Sequence, residues 1–109
     1  MKDHAAILIQ TADRFLFIKR SAQKKTLPNI WSFPSGTNEN GEDIYQTAVR
    51  EAYEELGVSV KAEDILATKE LPEFGVRLHF VLCSVSSGEP TIQDANEIQE
   101  MEWLSFNEF

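Results

Sequence analysis

The chain has 109 residues and a formal net charge of −8 at pH 7, with 10 Lys and Arg against 18 Asp and Glu. This length suits one compact domain, and a hydrophobic content of 42% with seven Phe and two Trp is enough for a packed core. The single cysteine, Cys83, excludes an internal disulfide framework and a zinc site built from several cysteines. The acidic balance also argues against general binding to nucleic-acid polymers. We therefore expect one globular domain over residues 1–109.

The cellular location follows from what the sequence lacks. Its uninterrupted apolar stretches are far shorter than the ~20 residues that a membrane helix needs. Residues 1–4 include an acid and precede no long apolar region, so they do not resemble a signal peptide. With only one cysteine, the chain fits a reducing compartment. These features predict a cytoplasmic protein that does not enter membranes.

The first part of the chain is expected to form strands and loops. Residues 4–10 and 14–19 are rich in apolar, β-branched and aromatic side chains and flank a short polar turn, which predicts a β-hairpin. Residues 21–29 are polar and basic, which predicts a loop. A short strand is expected over residues 30–33, followed by a turn-rich loop over residues 35–41.

One helix is expected, over residues 43–56. Its apolar side chains recur at helical spacing and are predicted to face the core. Gly57 follows the last apolar position, where a helix often ends in a left-handed residue. The predicted core-facing stripe consists of Tyr45, Val49, Ala52, Tyr53 and Leu56.

The second half of the chain is expected to return to strands. Residues 65–71 and 76–85 have strand-like composition, and the second segment alternates in character. A turn is expected over residues 86–90 and a last strand over residues 97–104. Strands that surround one early helix predict a mixed α/β or α+β layer structure.

Three carboxylates lie close together near the end of the predicted helix. Glu51, Glu54 and Glu55 are three and four residues apart, so they project from one side of the helix, which we expect to lie opposite the apolar stripe. Their mutual repulsion, and the unfavourable helix dipole at this end, work against folding. Oxygen ligands held at fixed spacing are what Mg²⁺ or Mn²⁺ requires. A solvated acidic helix face is the alternative interpretation.

These residues belong to a longer motif. From Gly36 the chain has five residues, Glu42, seven residues, and then the segment 50–58, Arg-Glu-Ala-Tyr-Glu-Glu-Leu-Gly-Val. This resembles the signature of the Nudix hydrolases, G-x5-E-x7-R-E-U-x-E-E-x-G-U with U a bulky aliphatic residue, and Ala52 is small for its U position. Residues 31–36 resemble the family's W-x-x-P-G-G, and residues 97–103 resemble its late E-x-x-E-x-x-W segment.

The resemblance implies an α/β/α sandwich with a mixed sheet that hydrolyses a diphosphate linkage in a nucleoside diphosphate derivative. Relatives usually begin a C-terminal helix where this chain ends, so we expect that helix to be short or missing. An apolar face of the sheet would then be exposed, and a homodimer is one way to cover it.

The resemblance also implies roles for the motif residues. Arg50 would orient a signature glutamate through a charge-assisted hydrogen bond, and Glu42 would brace the loop against the helix. The ligands of Mg²⁺ or Mn²⁺ would be the side chains of Glu51, Glu54 and Glu55 and the backbone carbonyl of Gly36.

The base that takes a proton from the attacking water stays open between two sources. One is a signature glutamate, Glu54. The other is a carboxylate of the late segment, Glu97 or Glu100, although both could equally be plain acids at a strand edge. On the substrate side, the resemblance places Lys19 and Arg20 near the substrate's phosphates, with solvated surface charge as the alternative.

The remaining polar candidates are predicted to be structural. Lys24 and Lys25 are assigned to a surface loop, and His4 and His79 to structural positions in strands. Cys83 lies midway along an apolar strand, so we expect it to be buried and unsuited to an isomerase of allylic diphosphates.

The substrate is expected to be a small-molecule nucleotide, with a nucleoside triphosphate or a related small nucleotide as the leading class. An ADP-ribose-type pyrophosphatase is the first alternative, because Pro72 lies 15 residues after Gly57, a spacing similar to that subgroup. A nucleotide-sensing Nudix module without catalysis is the second, and the intact set of Arg50, Glu51, Glu54 and Glu55 argues against it.

Overall fold

Strand β1 (Lys2–Thr11) is the central strand of a mixed seven-stranded sheet. The coordinates are a computed structural model that describes residues 1–25 and 27–108. β1 turns directly into β2 (Arg14–Arg20), with Gln10 opposite Phe15, which confirms the predicted hairpin. The remaining strands are β3 (Trp31–Ser32), β4 (Ser35–Thr37), β5 (Ser59–Leu71), β6 (Val76–Ser87) and β7 (Ile98–Leu104).

The strand order explains why distant segments meet. The main path runs β3-β2-β1-β6-β5, while β4 pairs with β1 and β7 pairs with β2. β1 and β6 are parallel, and the other pairs are antiparallel. Because β4 lies against the first half of β1, the loop that leaves β4 begins beside the centre of the sheet. The sequence analysis predicted a loop over residues 35–41 and missed this three-residue strand.

A single helix, α1 (Ile44–Leu56), packs on one face of the sheet. Asp43 caps its first turn: the side chain accepts from the backbone N–H of Gln46, and the Gln46 side chain accepts from the backbone N–H of Asp43. Gly57 ends the helix with φ of 64°, in the left-handed region that glycine adopts without strain, as predicted. The predicted bounds of the helix are confirmed to within one residue.

The predicted core-facing stripe of α1 is partly wrong. Tyr45, Val49 and Tyr53 are exposed, and Tyr53 keeps 59% of its accessible surface. The buried positions are Thr47, Ala48, Ala52, Glu55 and Leu56. The helix is rotated relative to the prediction because small side chains let it approach the sheet closely, whereas two tyrosines on that face would hold it away.

The core lies between α1 and the sheet. Its strands contribute alternate residues, as the period of two requires. The cluster contains Ala5, Ile7, Ile9, Leu16, Ile18, Ala48, Ala52, Leu56, Val58, Val60, Val81, Cys83 and Ile98. Cys83 is buried here, as predicted, and no helix of the described residues is long and apolar enough to cross a membrane.

The opposite face of the sheet carries aromatic rings. Phe17 stacks on Phe33 with centroids 4.8 Å apart, and Phe15 stacks on Phe106 with centroids 4.7 Å apart. Residues 105–108 form a turn after β7, and no α-helix of the described residues packs on this face. A short 3-10 helix, Pro72–Phe74, links β5 to β6. Among the described residues, the α-helical layer is therefore α1.

Candidate active site

An acidic cavity of about 470 Å³ opens where the β4–α1 loop, the second half of α1 and the segment before β7 meet. The Arg20 and Lys24 side chains and the His4 ring also line it. Its carboxylates come from three separate parts of the chain, so their convergence is a product of the fold. They are Glu39, Glu51, Glu54, Glu55, Asp94 and Glu97.

Arg50 organises the wall of this cavity. Its Nε donates to Glu42 Oε2 at 2.6 Å, and its Nη2 donates to Glu42 Oε1 at 3.1 Å and to the Thr37 carbonyl at 2.9 Å. Its Nη1 donates to Glu51 Oε1 at 2.8 Å and to Glu54 Oε2 at 3.1 Å. The five N–H bonds of the guanidinium are thus all used within the protein. Arg50 fixes two carboxylates of α1 relative to the β4 end of the loop.

Glu42 joins the loop to the helix. Its Oε1 accepts from the Glu39 backbone N–H at 3.0 Å and from the Thr47 hydroxyl at 3.0 Å, in addition to Arg50. The hydrogen bonds from Arg50 hold the pKa of Glu42 at about 2, far below the ordinary value of a glutamate. Glu42 is therefore ionised at neutral pH and keeps the Arg50 guanidinium in place.

Glu55 is the most buried of the carboxylates, with 9% of its surface accessible. Burial raises its pKa to about 8, the charges of Glu51 and Glu97 add to this effect, and Lys24 opposes it. The sequence analysis placed all three signature glutamates on the solvent side of α1. The structure instead turns Glu55 toward the sheet, where it forms the floor of the cavity.

Gly36 lies directly against Glu51. A Cβ atom at this position would lie well inside van der Waals contact of the Glu51 carboxyl group. The Glu51 side chain is half-buried here, and burial raises its pKa while the hydrogen bond from Arg50 lowers it. The glycine thus leaves room for the Glu51 carboxylate beside strand β4.

The segment before β7 is tied to the end of α1. The backbone N–H of Thr91 donates to the Leu56 carbonyl at 2.8 Å, and that of Gln93 donates to the Glu55 carbonyl at 2.9 Å. These bonds satisfy carbonyls that the end of a helix leaves without partners. They also bring Asp94 and Glu97 to the cavity, and Asp94 was not singled out from the sequence.

The two late glutamates have different positions. Glu97 lines the cavity, where its carboxylate pairs with the Lys24 ammonium. Glu100 is 55% exposed and pairs with Lys19 at 3.6 Å across the β2–β7 ladder, and neither residue lines the cavity. Of the two predicted basic residues, the structure brings Arg20 to the cavity, where its Nε donates to the Leu27 carbonyl at 3.1 Å.

Lys24 is a cavity residue that the sequence analysis assigned to a surface loop. Its side chain is only 24% exposed. The sequence of residues 21–29 does not distinguish Lys24 from Lys25. Which lysine reaches the cavity depends on how the loop is held against the start of β7, and this is a tertiary contact. His4 was also assigned a structural position, and its ring lines the cavity 3.4 Å from the Thr37 hydroxyl.

A second cavity of about 550 Å³ adjoins the first. Arg20, His4 and Ser35 line both, so the two cavities adjoin at these residues. Its walls are mainly apolar and include the rings of Phe33, Phe74 and Phe80 with Leu78. An acidic chamber thus lies beside an apolar one, and a molecule with a charged end and a flat, less polar end matches the pair.

Comparison with known proteins decides the family. The family model described as NUDIX domain matches residues 2–109. The chain belongs to the Nudix family. It is 34% identical over 86 residues to nucleoside diphosphate-linked moiety X motif 6 of Mus musculus, covering 74% of this chain and 28% of that protein. It is 30% identical over 102 residues to a peroxisomal coenzyme A diphosphatase of Caenorhabditis elegans, covering 88% of this chain and 43% of that protein.

The fold of the Nudix domain agrees with solved structures. An ADP-ribose pyrophosphatase from Streptococcus suis superposes with a TM-score of 0.80 at 22% identity, covering 99% of this chain and 76% of that chain. The chain spans less than half the length of the two curated relatives above. The comparisons therefore establish the family and the fold.

Nudix hydrolases in general need divalent metal ions, and the donors here suit such an ion. The cavity offers carboxylate oxygens, which hard divalent cations prefer, and one of these carboxylates, that of Glu51, lies against the Gly36 backbone. Within the described residues, no three His, Cys, Asp or Glu side chains converge as ligands of one ion. Arg50 engages Glu51 and Glu54, and Lys24 engages Glu97, so a bound ion requires these carboxylates to turn toward it.

Proposed function

We propose that this Nudix domain is a diphosphatase that uses Mg²⁺ or Mn²⁺ to hydrolyse a diphosphate linkage in a small nucleotide. The observation that carries the proposal is the single cavity that Glu51, Glu54, Glu55, Glu97 and Gly36 line together. Carboxylates at this density repel one another, and cations bound between them relieve that repulsion. The Nudix relatives support hydrolysis of phosphorus-containing anhydrides as the reaction class.

The proposed metal ligands are Glu51, Glu54, Glu55 and the carbonyl of Gly36. The bound ions would neutralise charge on the phosphate oxygens and lower the pKa of an attacking water. The protein's own part is positioning. Arg50 holds Glu51 and Glu54 at 2.8 Å and 3.1 Å, and Glu42 holds Arg50.

Glu54 is the proposed base. It is the most exposed signature carboxylate, with 57% of its side chain accessible, and a single N–H of Arg50 holds it. A carboxylate of this kind can accept a proton from a water inside the cavity. Glu97 is the second candidate, because it lies in the same cavity but is paired with Lys24. Glu100 lies outside the cavity and is proposed to have no part in proton transfer.

We assign the nucleoside part of the substrate to the apolar cavity beside the acidic one. Phe33, Phe74 and Phe80 offer rings against which a flat base could stack. Arg20, which lines both cavities, would then lie near the junction between base and phosphates. A nucleoside triphosphate or a related small nucleotide is the proposed substrate class, in keeping with this division into a charged and an apolar chamber.

Product analysis tests the proposal. Nucleoside triphosphates, ADP-ribose, coenzyme A and dinucleoside polyphosphates are incubated with the protein and Mn²⁺ or Mg²⁺, and the phosphorus products are identified. We expect one class to be cleaved at a diphosphate linkage, with activity lost after EDTA. Cleavage of ADP-ribose alone would move the assignment to that pyrophosphatase class. Binding without any product would favour a nucleotide sensor and overturn the proposal.

Three matched variants test the residue roles. Glu54→Gln should lower kcat by about 100-fold or more if it is the base, the usual range for general base catalysis. Glu97→Gln should lower it less, and Glu100→Gln should behave as the unmodified protein. A larger loss in Glu97→Gln than in Glu54→Gln would transfer the role of base to Glu97. The far-UV circular dichroism of each variant shows whether the fold is retained.

A further inference from the structure

Lys24 is held at the acidic cavity by the backbone as well as by its side chain. The Lys24 N–H donates to the Ser21 carbonyl at 3.2 Å, which closes a turn. The Ser21 N–H donates to the Glu97 carbonyl at 3.0 Å, and the Gln23 N–H donates to the Ser21 hydroxyl at 3.1 Å. Ser21 is 5% exposed. The turn is therefore fixed to the start of β7, and Lys24 reaches the cavity from an ordered part of the chain.

The donors available to a phosphate in this cavity are few. Arg50 uses all five of its N–H bonds on Glu42, Glu51, Glu54 and the Thr37 carbonyl. Lys19 lies outside the cavity with Glu100. Lys24 has three N–H bonds, and among the described residues its ion pair is with Glu97 alone. Lys24 therefore has donors left for a ligand where Arg50 has none.

Lys24 also affects the balance of charge in the cavity. Six carboxylates line the cavity, and Arg20 and Lys24 are the Lys and Arg side chains among its described lining residues. A diphosphate brings further negative charge into this space. An ammonium group that is already partly removed from water can pair with a phosphate oxygen at a smaller desolvation cost than an exposed one.

We propose that Lys24 is a substrate-binding residue of this site: its ammonium, steadied by Glu97, donates a hydrogen bond to a phosphate oxygen of the diphosphate. This inference rests on the proposed function, because it assumes that a diphosphate enters the acidic cavity. Glu97 acts on the substrate through Lys24 in this arrangement and is a positioning residue. Lys25, the next residue, is exposed and does not line the cavity.

The test compares Lys24→Met with Lys25→Met, since the two variants remove the same charge one residue apart. The first measurement is calorimetric binding of inorganic pyrophosphate in the presence of Mg²⁺, which needs no turnover. A hydrogen bond between charged groups predicts that Lys24→Met binds about 10- to 100-fold more weakly. Lys25→Met should bind as the unmodified protein does, and Lys24→Arg should restore most of the affinity.

A second measurement separates substrate binding from a merely structural role. The affinity for Mn²⁺ alone, followed by electron paramagnetic resonance, should be unchanged or tighter in Lys24→Met, because a competing cation has been removed. Weaker Mn²⁺ binding together with a failure of Lys24→Arg to restore pyrophosphate binding would overturn the proposal in favour of a structural role.

The remaining outcomes distinguish this proposal from the proposed function. Equal pyrophosphate affinities in Lys24→Met and Lys25→Met, or no pyrophosphate binding by the unmodified protein, would overturn the role of Lys24. Absence of hydrolysis with intact pyrophosphate binding would overturn the diphosphatase assignment and leave Lys24 as a phosphate-binding residue. With an active substrate in hand, Lys24→Met should raise KM by a factor similar to its loss of pyrophosphate affinity.

Discussion

The guanidinium of Arg50 and the carboxylate of Glu42 form a two-point ion pair, with Nε 2.6 Å from Oε2 and Nη2 3.1 Å from Oε1. Both groups are largely withdrawn from solvent, and Arg50 also forms ion pairs with Glu51 and Glu54. Arg50, which is not among the residues that line the cavity, thus supports two of the cavity's carboxylates. Bidentate geometry between charged groups is among the stronger hydrogen-bonded arrangements in proteins.

Glu42→Gln should lower the free energy of unfolding by about 2 kcal/mol, because the change weakens charge-assisted hydrogen bonds that Arg50 makes in a half-buried position. Urea unfolding at pH 7 measures this loss. Glu70→Gln is the control, since Glu70 is exposed and lies 3.5 Å from Arg77, and it should change stability by less than about 0.5 kcal/mol. Equal losses in the two variants would contradict the special role of the Arg50 pair.

The same carboxylate predicts a pH dependence. Hydrogen bonding to Arg50 lowers the pKa of Glu42 from 4.5 to about 2, so the folded state binds this proton less readily than the unfolded state. Its stabilising contribution is complete above about pH 4.5 and is lost as the pH falls toward 2. The difference in stability between the unmodified protein and Glu42→Gln should therefore shrink over this range. A difference in stability that stays constant down to pH 2 would show that the ionisation of Glu42 is not its cause.

Glu55→Gln should stabilise the metal-free protein at pH 8 while abolishing turnover. Burial raises the pKa of Glu55 to about 8, so between pH 4.5 and 8 the folded state holds a proton that the unfolded state has released. Stability due to this group falls as the pH rises through that window. Removing the charge should raise the free energy of unfolding at pH 8 by about 2 kcal/mol.

Thermal unfolding with EDTA at pH 5 and pH 8 measures this effect of Glu55. The gain from Glu55→Gln should be small at pH 5 and larger at pH 8. In saturating Mn²⁺ the unmodified protein should be the more stable of the two, because it alone retains the Glu55 carboxylate as a ligand for the ion. A gain that is the same at both pH values would show that Glu55 is not the titrating group.

Gly36→Ala should weaken Mn²⁺ binding by about 10-fold or more with little loss of stability. A Cβ here meets the end of the Glu51 side chain, which can swing away, but only by leaving its place beside the Gly36 backbone. Gly41→Ala provides the converse control. No atom lies within 4 Å of its added Cβ, yet φ of 87° is unfavourable for alanine, so we expect a stability loss of about 1 kcal/mol and unchanged Mn²⁺ affinity.

Tyr53→Ser should change the free energy of unfolding by less than about 0.5 kcal/mol, because this ring lies on the solvent side of α1. Leu56→Ala, three residues away in the buried face, should cost about 2–5 kcal/mol. Chemical denaturation of both variants decides between the observed orientation of α1 and the one expected from the spacing of its apolar residues. A large loss in Tyr53→Ser would support the latter.

The contrast at α1 shows what the sequence could and could not predict. The motif spacing and Gly57 predicted the helix and its end, because caps and periodicity are local properties. Its orientation was wrong because the buried face carries Ala48, Ala52 and the carboxylate of Glu55, while the larger apolar residues lie outside. The predicted stripe was right for Ala52 and Leu56, but it counted the two tyrosines as core residues and left the Glu55 carboxylate outside.

The site was predicted where it is local and missed where it depends on tertiary contacts. Glu42, Arg50 and the three signature glutamates occupy one continuous motif, so the resemblance identified them together. Lys24 and Asp94 reach the cavity through backbone hydrogen bonds to Glu97 and Glu55, which no local pattern encodes. Strand β4 was missed for the same reason, since its three residues pair with a strand made much earlier in the chain.

The parallel pairing of β1 with β6 has a consequence for biosynthesis. β1 is the central strand and is translated before the other six strands. Its partner strand comes late, however, because Lys2 of β1 pairs with Val76 of β6. Likewise, Phe15 of β2 pairs with Leu104 of β7. Contacts between such distant segments form late, because the loop between them must close first. On the ribosome, β1 would pair early with β2 and β4, and its other edge would stay unpaired until β6 emerges. This interval is when the apolar strand Ala5 to Ile9 is most open to aggregation, and a chaperone that binds extended apolar segments would act here.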